Sequence, residues 1–342
     1  MKHATLSPSR AKAILAAAAR TRAIVIGDVM LDQFLWGKVS RISPEAPVPV
    51  VEFERESFIA GGAGNVARNL AELNVATELF GAVGRDEKAV LLKKTLKHDR
   101  IGCAGLLALP GRETSVKTRI IAHRQQVVRV DRESKGDIDA AATRRLLSAL
   151  ESRLDKIDAV ILGDYAKGVV TQPLLDGVRR LCHDRGIWLS LDPKPPHPLN
   201  LSGVSLLTPN RKEAFELAGA QDVSRGLPPM QDKPLLAVAW QLLTALNPAL
   251  LLITLGDHGM LLCQRHHPPF HIPTIAREVF DVSGAGDTVI ATFTLAIVAG
   301  ASPVEAAIFS NQAGGVVVGK LGTATVRPDE LLESFRRETL LR

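Results

Sequence analysis

The repeated alternation of strand and helix patterns between residues 76 and 338 constrains the fold most strongly. Short apolar runs, such as those at 158–162, 187–191 and 250–254, are each followed by a segment with helical periodicity. Successive units of this kind join strands that run in the same direction and place the connecting helices on both faces of a sheet. The sequence therefore predicts an α/β fold with a mostly parallel central sheet. Its content of 46% hydrophobic residues is enough for a large core.

Two segments, 33–60 and 114–133, break this alternation. Both contain alternating apolar and polar residues, and prolines flank the apolar run of the first. Such patterns are typical of strands at a sheet edge or in a small separate sheet. We expect the two segments to form one small sheet outside the central sheet. Residues 1–22 are predicted to be an N-terminal extension with a short amphipathic helix, followed by a main domain at 23–342.

The composition argues against several classes of function. The net charge is +6, the Lys and Arg residues are scattered, and only 4% of the residues are aromatic, so no nucleic-acid partner is expected. No apolar run approaches the length of a membrane span, so no membrane partner is expected either. The three cysteines lie far apart in the chain, which is typical of free thiols in a reducing compartment and predicts a cytoplasmic protein.

A glycine-rich stretch at Asp281–Thr288 is the strongest candidate for the catalytic centre. It precedes an apolar run, so it is predicted to be a loop that leads into a buried helix. The free N–H groups and positive dipole of such a helix start favour an anion at Gly284 and Gly286. Asp287 would repel that anion unless it takes a proton from an attacking hydroxyl. The residues alone leave open the alternative that Asp287 only caps the helix.

Polar residues follow several predicted strands. Asp28 and Asp32 follow the strand at 23–27, and Lys167 follows the strand at 158–162. Asp192 and Lys194 follow the next strand. Asn210 and Glu213 occupy the same place after a further strand. Because parallel strands end at one edge of their sheet, these residues predict a single ligand-binding crevice.

Three other patterns match known sites less well. Residues 62–67 fit a dinucleotide-binding fingerprint but lie far from the first core strand. Residues 314–320 have the spacing of a phosphate loop but lack its Ser or Thr and fall near the end of a predicted helix. His266, His267 and His271 cluster around two prolines, which favours a solvated loop over a metal site.

The stretch DVSGAGDTVI resembles the signature of the ribokinase-like (PfkB) carbohydrate kinases. Other stretches occur in the order found in one branch of that family, the D-glycero-D-manno-heptose 7-phosphate kinases of lipopolysaccharide synthesis. They are GDVMLD, SRISPEAPVPVV, GGAGNVARNLAEL, DYAKG, DPK, TPNRKE and VVVGKLGTATV. The similarity covers roughly residues 22–335, and an ordered set of motifs is far more specific than a single glycine motif.

The resemblance implies a ribokinase-like three-layer sandwich with a small β lid that forms a homodimer contact. It also implies that Asp287 is the catalytic base and that the amides of Gly284, Ala285 and Gly286 form an anion hole. The implied substrate-binding residues are Asp28, Asp32, Gly61, Gly62, Asn65, Arg119, Lys167, Asp192 and Lys194. Among these, Arg119, Lys167 and Lys194 are candidates for binding a phosphate of the substrate. The implied nucleotide-binding residues are Asn210, Thr254, Gly256, Asp257, Gly259 and Asn311. Asn210 and Glu213 would hold Mg²⁺ through water.

The activity implied by the resemblance is transfer of phosphate from ATP to the anomeric hydroxyl of D-glycero-D-manno-heptose 7-phosphate. The product would be heptose 1,7-bisphosphate, for ADP-heptose and lipopolysaccharide core synthesis. ATP and Mg²⁺ are the expected cofactors, and a monovalent cation is left open. Because the sequence lacks a His-x-Gly-His motif, we expect the kinase alone without a nucleotidyltransferase.

Alternatives to this activity remain. The chain could act on ribose, fructose or a nucleoside as another kinase of the same family. It could be a nucleotide-binding oxidoreductase built on residues 62–67, or a binding protein without catalytic activity. The presence of Asp287 argues against the last of these.

Overall fold

A nine-stranded sheet runs through the middle of the computed structural model and determines where all other elements lie. The structure describes residues 5–340, apart from Arg124, Lys135, Pro196, Arg225, Arg277 and Glu278. In chain order the strands are β1 (Arg22–Gly27), β2 (Val29–Ile42), β3 (Pro49–Gly62), β4 (Ala76–Val83), β5 (Gly102–Ala108), β6 (Ser115–Ala122), β7 (Gln125–Arg132), β8 (Ala159–Gly163), β9 (Trp188–Asp192), β10 (Leu206–Leu207), β11 (Leu250–Thr254), β12 (Met260–Gln264) and β13 (Phe270–Ile272).

The central sheet has the strand order β13-β12-β11-β10-β9-β8-β1-β4-β5. From β11 to β5 every neighbouring pair is parallel, whereas β12 and β13 add two antiparallel pairings at one edge. This topology confirms the predicted mostly parallel sheet. The carboxyl ends of the parallel strands therefore meet along one edge, where ligands bind in open α/β sheets.

Ten helices connect and cover these strands in the part of the chain that the structure describes. They are α1 (Pro8–Ala18), α2 (Ala63–Glu72), α3 (Glu87–His98), α4 (Ala140–Glu151), α5 (Gln172–Arg185), α6 (Arg211–Leu217), α7 (Lys233–Leu246), α8 (Ala285–Val298), α9 (Pro303–Val317) and α10 (Pro328–Leu340). None of them is both long and apolar enough to cross a membrane.

Successive residues of β1 face the two different halves of the core. Val25 packs in a cluster with residues of α1, α2, α8 and α9, whereas Ile24 and Ile26 pack with residues of α4, α5 and α7. Because side chains of a strand alternate between its two faces, the sheet is covered by helices on both sides. The arrangement is a three-layer sandwich, as predicted.

Helix α1 belongs to this core. Ser7 accepts a hydrogen bond from the N–H of Arg10 and begins the helix, and Ile14 and Leu15 are buried in the same cluster as Val25. The segment predicted as an N-terminal extension thus contains a helix that buries its apolar face against the main body.

The second sheet has four strands in the order β3-β2-β6-β7, so the two irregular segments do form one small sheet. Its first hairpin spans 29–62, which is wider than the predicted 33–60. The prediction placed Asp32 at the end of β1, but Asp32 lies inside β2. The sequence conceals this change of sheet because Val29, Met30 and Leu31 are as buried as residues of a core strand.

Candidate active site

Two helices begin at the carboxyl edge of the central sheet without a capping side chain. A Ser, Asp, Thr or Asn side chain accepts a backbone N–H at the start of α1, α3, α4, α5, α6, α7 and α9. Helices α2 and α8 instead begin at Gly62 and Gly284, and neither has a side-chain cap among the described residues. The N–H of Ala63 donates to the carbonyl of Asp28 and that of Ala285 to the carbonyl of Val282. The next amide of α8, that of Gly286, has no acceptor among the described residues, and it and the positive dipole ends are available to a ligand.

Different features of the structure explain the glycines at Gly284 and Gly286, at the start of α8. Gly284 has a φ of 79°, and a Cβ there would lie 2.6 Å from Nδ2 of Asn65, so both its backbone and its surroundings require glycine. A Cβ on Gly286 would meet no described atom within 4 Å. Space is thus left next to the amides that the resemblance assigns to an anion hole, and that role stays a prediction.

Asp287 is the third residue of α8 and is only 9% exposed. The hydroxyl of Tyr165 donates to its Oδ1 at 2.6 Å, and Nδ2 of Asn65 donates to its Oδ2 at 2.7 Å. These bonds disfavour the helix-capping alternative, because both described partners of the carboxylate come from other segments. Burial raises the pKa of Asp287 to about 6, although the two hydrogen bonds oppose the shift. A carboxylate with this pKa is ionised at neutral pH and is suited to accept a proton.

Asn65 is itself held in place by a cation. Arg68 donates to Oδ1 of Asn65 at 3.2 Å and to the carbonyl of Thr323 at 3.1 Å. Asp99 accepts from Nε of Arg68 at 3.1 Å. Because Oδ1 accepts from Arg68, the amide nitrogen of Asn65 faces Asp287. The sequence did not indicate Arg68, since its role depends on contacts with distant segments.

Tyr165 was also missed, although the sequence contains a signal for it. It is the only tyrosine of the chain and lies in the motif DYAKG directly after a buried strand. Burial first, and then the negative charge of Asp287, raise the pKa of Tyr165 well above its usual value, so the hydroxyl stays protonated and can donate.

Asp28 shapes the loop that carries Tyr165. Its carboxylate accepts the backbone N–H groups of Tyr165 and Lys167 at 2.9 and 3.0 Å, and that of Val169 at 2.9 Å. Asp28 is 1% exposed, and these three bonds account for its burial. The direct contact with a sugar hydroxyl that the resemblance implies stays a prediction.

Asp32 lies close to the base and pairs with Arg119. Its Oδ1 accepts from Arg119 at 2.5 Å, and its negative charge contributes to the raised pKa of Asp287. A Cβ on Gly61 would lie 2.2 Å from Oδ2 of Asp32, so this position of the hairpin requires glycine. The structure thus brings Asp32, Gly61 and Asn65 to the same region as Asp287.

The three cations predicted to bind a substrate phosphate each pair with a different carboxylate. Arg119 pairs with Asp32 as described above. Lys167 donates to Glu133 at 2.6 Å, and Lys194 donates to Glu213 at 3.0 Å. A phosphate at any of these cations would compete with a carboxylate that is already in place.

Asn210 and Glu213 form the start of α6. Oδ1 of Asn210 accepts the N–H of Glu213, and Oε2 of Glu213 accepts the N–H of Asn210, both at 3.0 Å. Asn210 also forms a parallel bridge with Thr254, the last residue of β11. The structure therefore brings the predicted metal residues next to a predicted nucleotide-binding residue.

The other predicted nucleotide-binding residues follow β11. Gly256 and Asp257 form a helical turn, and Gly259 ends it with a φ of 83°. A Cβ on Gly259 would lie 2.1 Å from the carbonyl oxygen of Ile272. Asn311 of α9 donates to the carbonyl of Pro273 at 2.9 Å, directly after β13. Their roles stay predictions.

Asp192 and Glu213 bring further negative charge close to Asp287. Burial, followed by the charges of Glu213 and Asp287, raises the pKa of Asp192 well above its usual value. The hydroxyl of Thr208 donates to Oδ1 of Asp192 at 3.1 Å. Mutual repulsion of this kind is relieved by a cation, and oxygen ligands of this type suit Mg²⁺.

The three patterns that match known sites less well lie in local structures that do not fit those sites. Residues 62–67 begin α2 after a strand of the small sheet, so the core strand that a dinucleotide fingerprint requires is missing. Gly314 and Gly315 lie inside α9, which is not a phosphate loop. The segment predicted as a solvated loop contains the short strand β13, where His271 hydrogen-bonds the carbonyl of His258. No group of three His, Cys, Asp or Glu side chains among the described residues is placed to hold a metal ion.

The three-layer fold with a buried carboxylate at an uncapped helix start agrees with the expected resemblance to carbohydrate kinases. The sequence profile described as pfkB family carbohydrate kinase matches residues 20–330, and the chain belongs to that family. By family membership it is a carbohydrate kinase.

Similar proteins include two that are named bifunctional protein HldE. The protein from Citrifermentans bemidjiense is 43% identical over 91% of this chain and 62% of its own length. The protein from Caulobacter vibrioides is 46% identical over 90% of this chain and 62% of its own length. The chain thus spans somewhat less than two thirds of these relatives.

Solved structures show the same fold at low sequence identity. Arabidopsis thaliana ribokinase complexed with ribose and ATP has a TM-score of 0.70 and 18% identity, over 92% of this chain and 99% of the other. Phosphofructokinase-2 from Escherichia coli in complex with substrates and products has a TM-score of 0.75 and 17% identity, over 93% and 99%.

We expect Asp287→Asn to lower kcat by at least about two orders of magnitude, because the amide cannot accept the proton of the attacking hydroxyl. Binding of ATP and the thermal unfolding midpoint should stay close to those of the wild type. Steady-state kinetics and calorimetric titration with ATP measure these quantities. Near-normal turnover of the purified variant would exclude Asp287 as the base.

We expect Tyr165→Phe to shift the acidic limb of the pH profile of kcat/KM toward higher pH. The base is active when ionised, so wild-type activity falls as the pH drops through the pKa of about 6. The hydrogen bond from Tyr165 lowers the pKa of Asp287, so its loss raises that pKa further. Thr244→Val, which removes an exposed hydroxyl from α7, is the control and should leave the limb unchanged. An unshifted limb in Tyr165→Phe would show that Tyr165 does not tune the base.

Proposed function

We propose that the protein phosphorylates the anomeric hydroxyl of D-glycero-D-manno-heptose 7-phosphate and produces heptose 1,7-bisphosphate for ADP-heptose and lipopolysaccharide core synthesis. The observation that carries the proposal is the buried carboxylate of Asp287 next to the open start of α8. The ordered motifs that resemble heptose 7-phosphate kinases, and the relatives at 43% and 46% identity, support this sugar over others.

In the proposed reaction Asp287 takes the proton of the sugar hydroxyl as its oxygen attacks the γ-phosphorus of ATP. The bond between that phosphorus and the bridging oxygen of ADP breaks, and ADP leaves with the electron pair. The amides of Gly284, Ala285 and Gly286 donate to the oxygens of the transferring group. The chain contributes mainly positioning and charge stabilisation, as is general for phosphoryl transfer.

Mg²⁺ fits the negative charge around Asp192. Asn210 and Glu213 would hold it through water, and Lys194 beside Glu213 partly balances the carboxylates. When bound, Mg²⁺ would neutralise charge on the nucleotide phosphates. The three cysteines are free thiols, which supports the proposed cytoplasmic location.

A panel of sugars tests the proposed substrate. We expect manno-heptose 7-phosphate to give the highest kcat/KM, above that of sedoheptulose 7-phosphate, fructose 6-phosphate, ribose and a nucleoside. NMR of the product should show phosphate on the anomeric carbon. Parallel assays in potassium and tetramethylammonium salts test the monovalent cation. A clear preference for any other sugar would overturn the proposed substrate but not the kinase activity.

The small sheet supports the proposal of a homodimer. Strand β7 is exposed along its whole length, and its apolar residues Val128 and Val130 are 46% and 56% exposed. Phe53 of β3 is 65% exposed on the opposite edge strand. An exposed edge with apolar side chains is a surface for pairing with a second copy of the chain.

We expect Val130→Asp to weaken the dimer by at least about tenfold in dissociation constant, because the interface would bury an unpaired charge. Sedimentation velocity over a concentration series measures this constant. Val90→Asp on α3, where Val90 is 70% exposed, is the matched control and should leave association unchanged. Equal dissociation constants for the wild type and Val130→Asp would place the interface elsewhere or exclude it.

A further inference from the structure

A basic cavity lies beside the proposed sugar site and has no role in the reaction described so far. Its volume is about 230 Å³, and its charged lining residues are Arg85, Asp86, Lys88, Arg112, Glu113 and Arg132. The cavity lies where β4 ends, at the carboxyl edge of the central sheet, and Arg132 reaches it from the last residue of β7. Groups from the main body and the small sheet thus line one space.

The cavity carries excess positive charge. Within the described part of the chain, none of its four cations forms an ion pair with a carboxylate. Asp86 is used internally, because its carboxylate accepts from the N–H and hydroxyl of Thr114 and from the N–H of Ala89. The cations are therefore available to an anionic ligand.

Arg112 is the most constrained of these cations. It donates to the carbonyls of Gly136 and Lys167 at 3.0 and 2.6 Å, which uses only some of its five N–H groups. Burial is the main cause that lowers the pKa of Arg112, and the charges of Asp28 and Asp137 oppose it. A half-buried cation without a carboxylate partner is costly, and an anion would offset that cost.

The cavity is connected to the proposed sugar site through the loop that carries Tyr165. The carbonyl of Lys167 accepts from Arg112, while the N–H of Lys167 binds Asp28 and the hydroxyl of Tyr165 binds Asp287. Strands β8 and β4 flank β1 in the sheet. Two strand spacings are about 10 Å, a span that a seven-carbon sugar with a terminal phosphate can bridge.

We propose that this cavity binds the phosphate monoester at the far end of the sugar substrate while the other end reaches Asp287. This inference rests on the proposed function and assigns the phosphate to other cations than those expected from the sequence. Arg119, Lys167 and Lys194 are already paired with carboxylates, whereas Arg85, Lys88, Arg112 and Arg132 are not. Because Arg132 belongs to the small sheet and Arg85 follows β4 of the central sheet, a bound phosphate also holds the two together.

The test removes the two exposed cations in a double variant, Arg85→Gln with Arg132→Gln. We expect kcat/KM for manno-heptose 7-phosphate to fall at least about tenfold, since charged hydrogen bonds are among the strong ones. The value for manno-heptose without phosphate should stay within about twofold. The matched control is Arg144→Gln with Arg145→Gln, which removes two exposed arginines from α4 and should change neither value.

A binding measurement keeps the test independent of turnover. In calorimetric titration with inorganic phosphate, the wild type should bind at least about tenfold more tightly than the Arg85→Gln/Arg132→Gln variant. Equal affinities, or an equal loss of turnover with both sugars, would overturn the phosphate site. If the wild type binds phosphate in this way but phosphorylates no sugar of the panel, the proposed function is wrong and the anion site remains.

Discussion

The rest of the site depends on the buried carboxylate of Asp287 and on the two neutral groups that donate hydrogen bonds to it. The carboxylate lies at the start of α8, Asn65 comes from α2, and Tyr165 follows β8, so three distant segments must converge. A cation at the same distance would lower the pKa of the carboxylate and weaken it as a base. Neutral donors position the oxygens but leave the pKa at about 6. The cation Arg68 donates to Asn65 instead.

The central sheet makes this convergence possible. Strands β1 and β8 are so close that a Cβ on Gly27 would lie 2.1 Å from the carbonyl oxygen of Gly163. Asp28 and Asp164 therefore leave the sheet side by side, and Asp28 can bind the amides of the loop that follows β8. The small sheet begins one residue later at Val29, so its position over the carboxyl edge follows from the end of β1.

Local patterns in the sequence predicted most of the fold but only part of the site. The strand and helix alternation, the small sheet and the helix after Asp281–Thr288 were predictable, because periodicity and glycine position act over a few residues. The role of Arg68 was not predictable, because it depends on Thr323, more than a hundred residues away. The motif DYAKG marks Tyr165 as a candidate, but the sequence does not show its contact with Asp287. The ion pair of Lys167 with Glu133 was likewise not predictable, because the sequence shows two charged residues but not that they meet.

A helix that begins at glycine instead of a capping side chain loses little stability. An N-terminal cap side chain contributes about 1 kcal/mol, but its replacement by glycine costs only a few tenths of that. Glycine at the starts of α2 and α8 therefore keeps both helices stable without a side chain over their positive dipole ends. Most of the stabilisation of α8 comes from its burial, as every residue from Asp287 to Ala296 is buried. A helix held so firmly by its packing can leave its first turn open to a ligand.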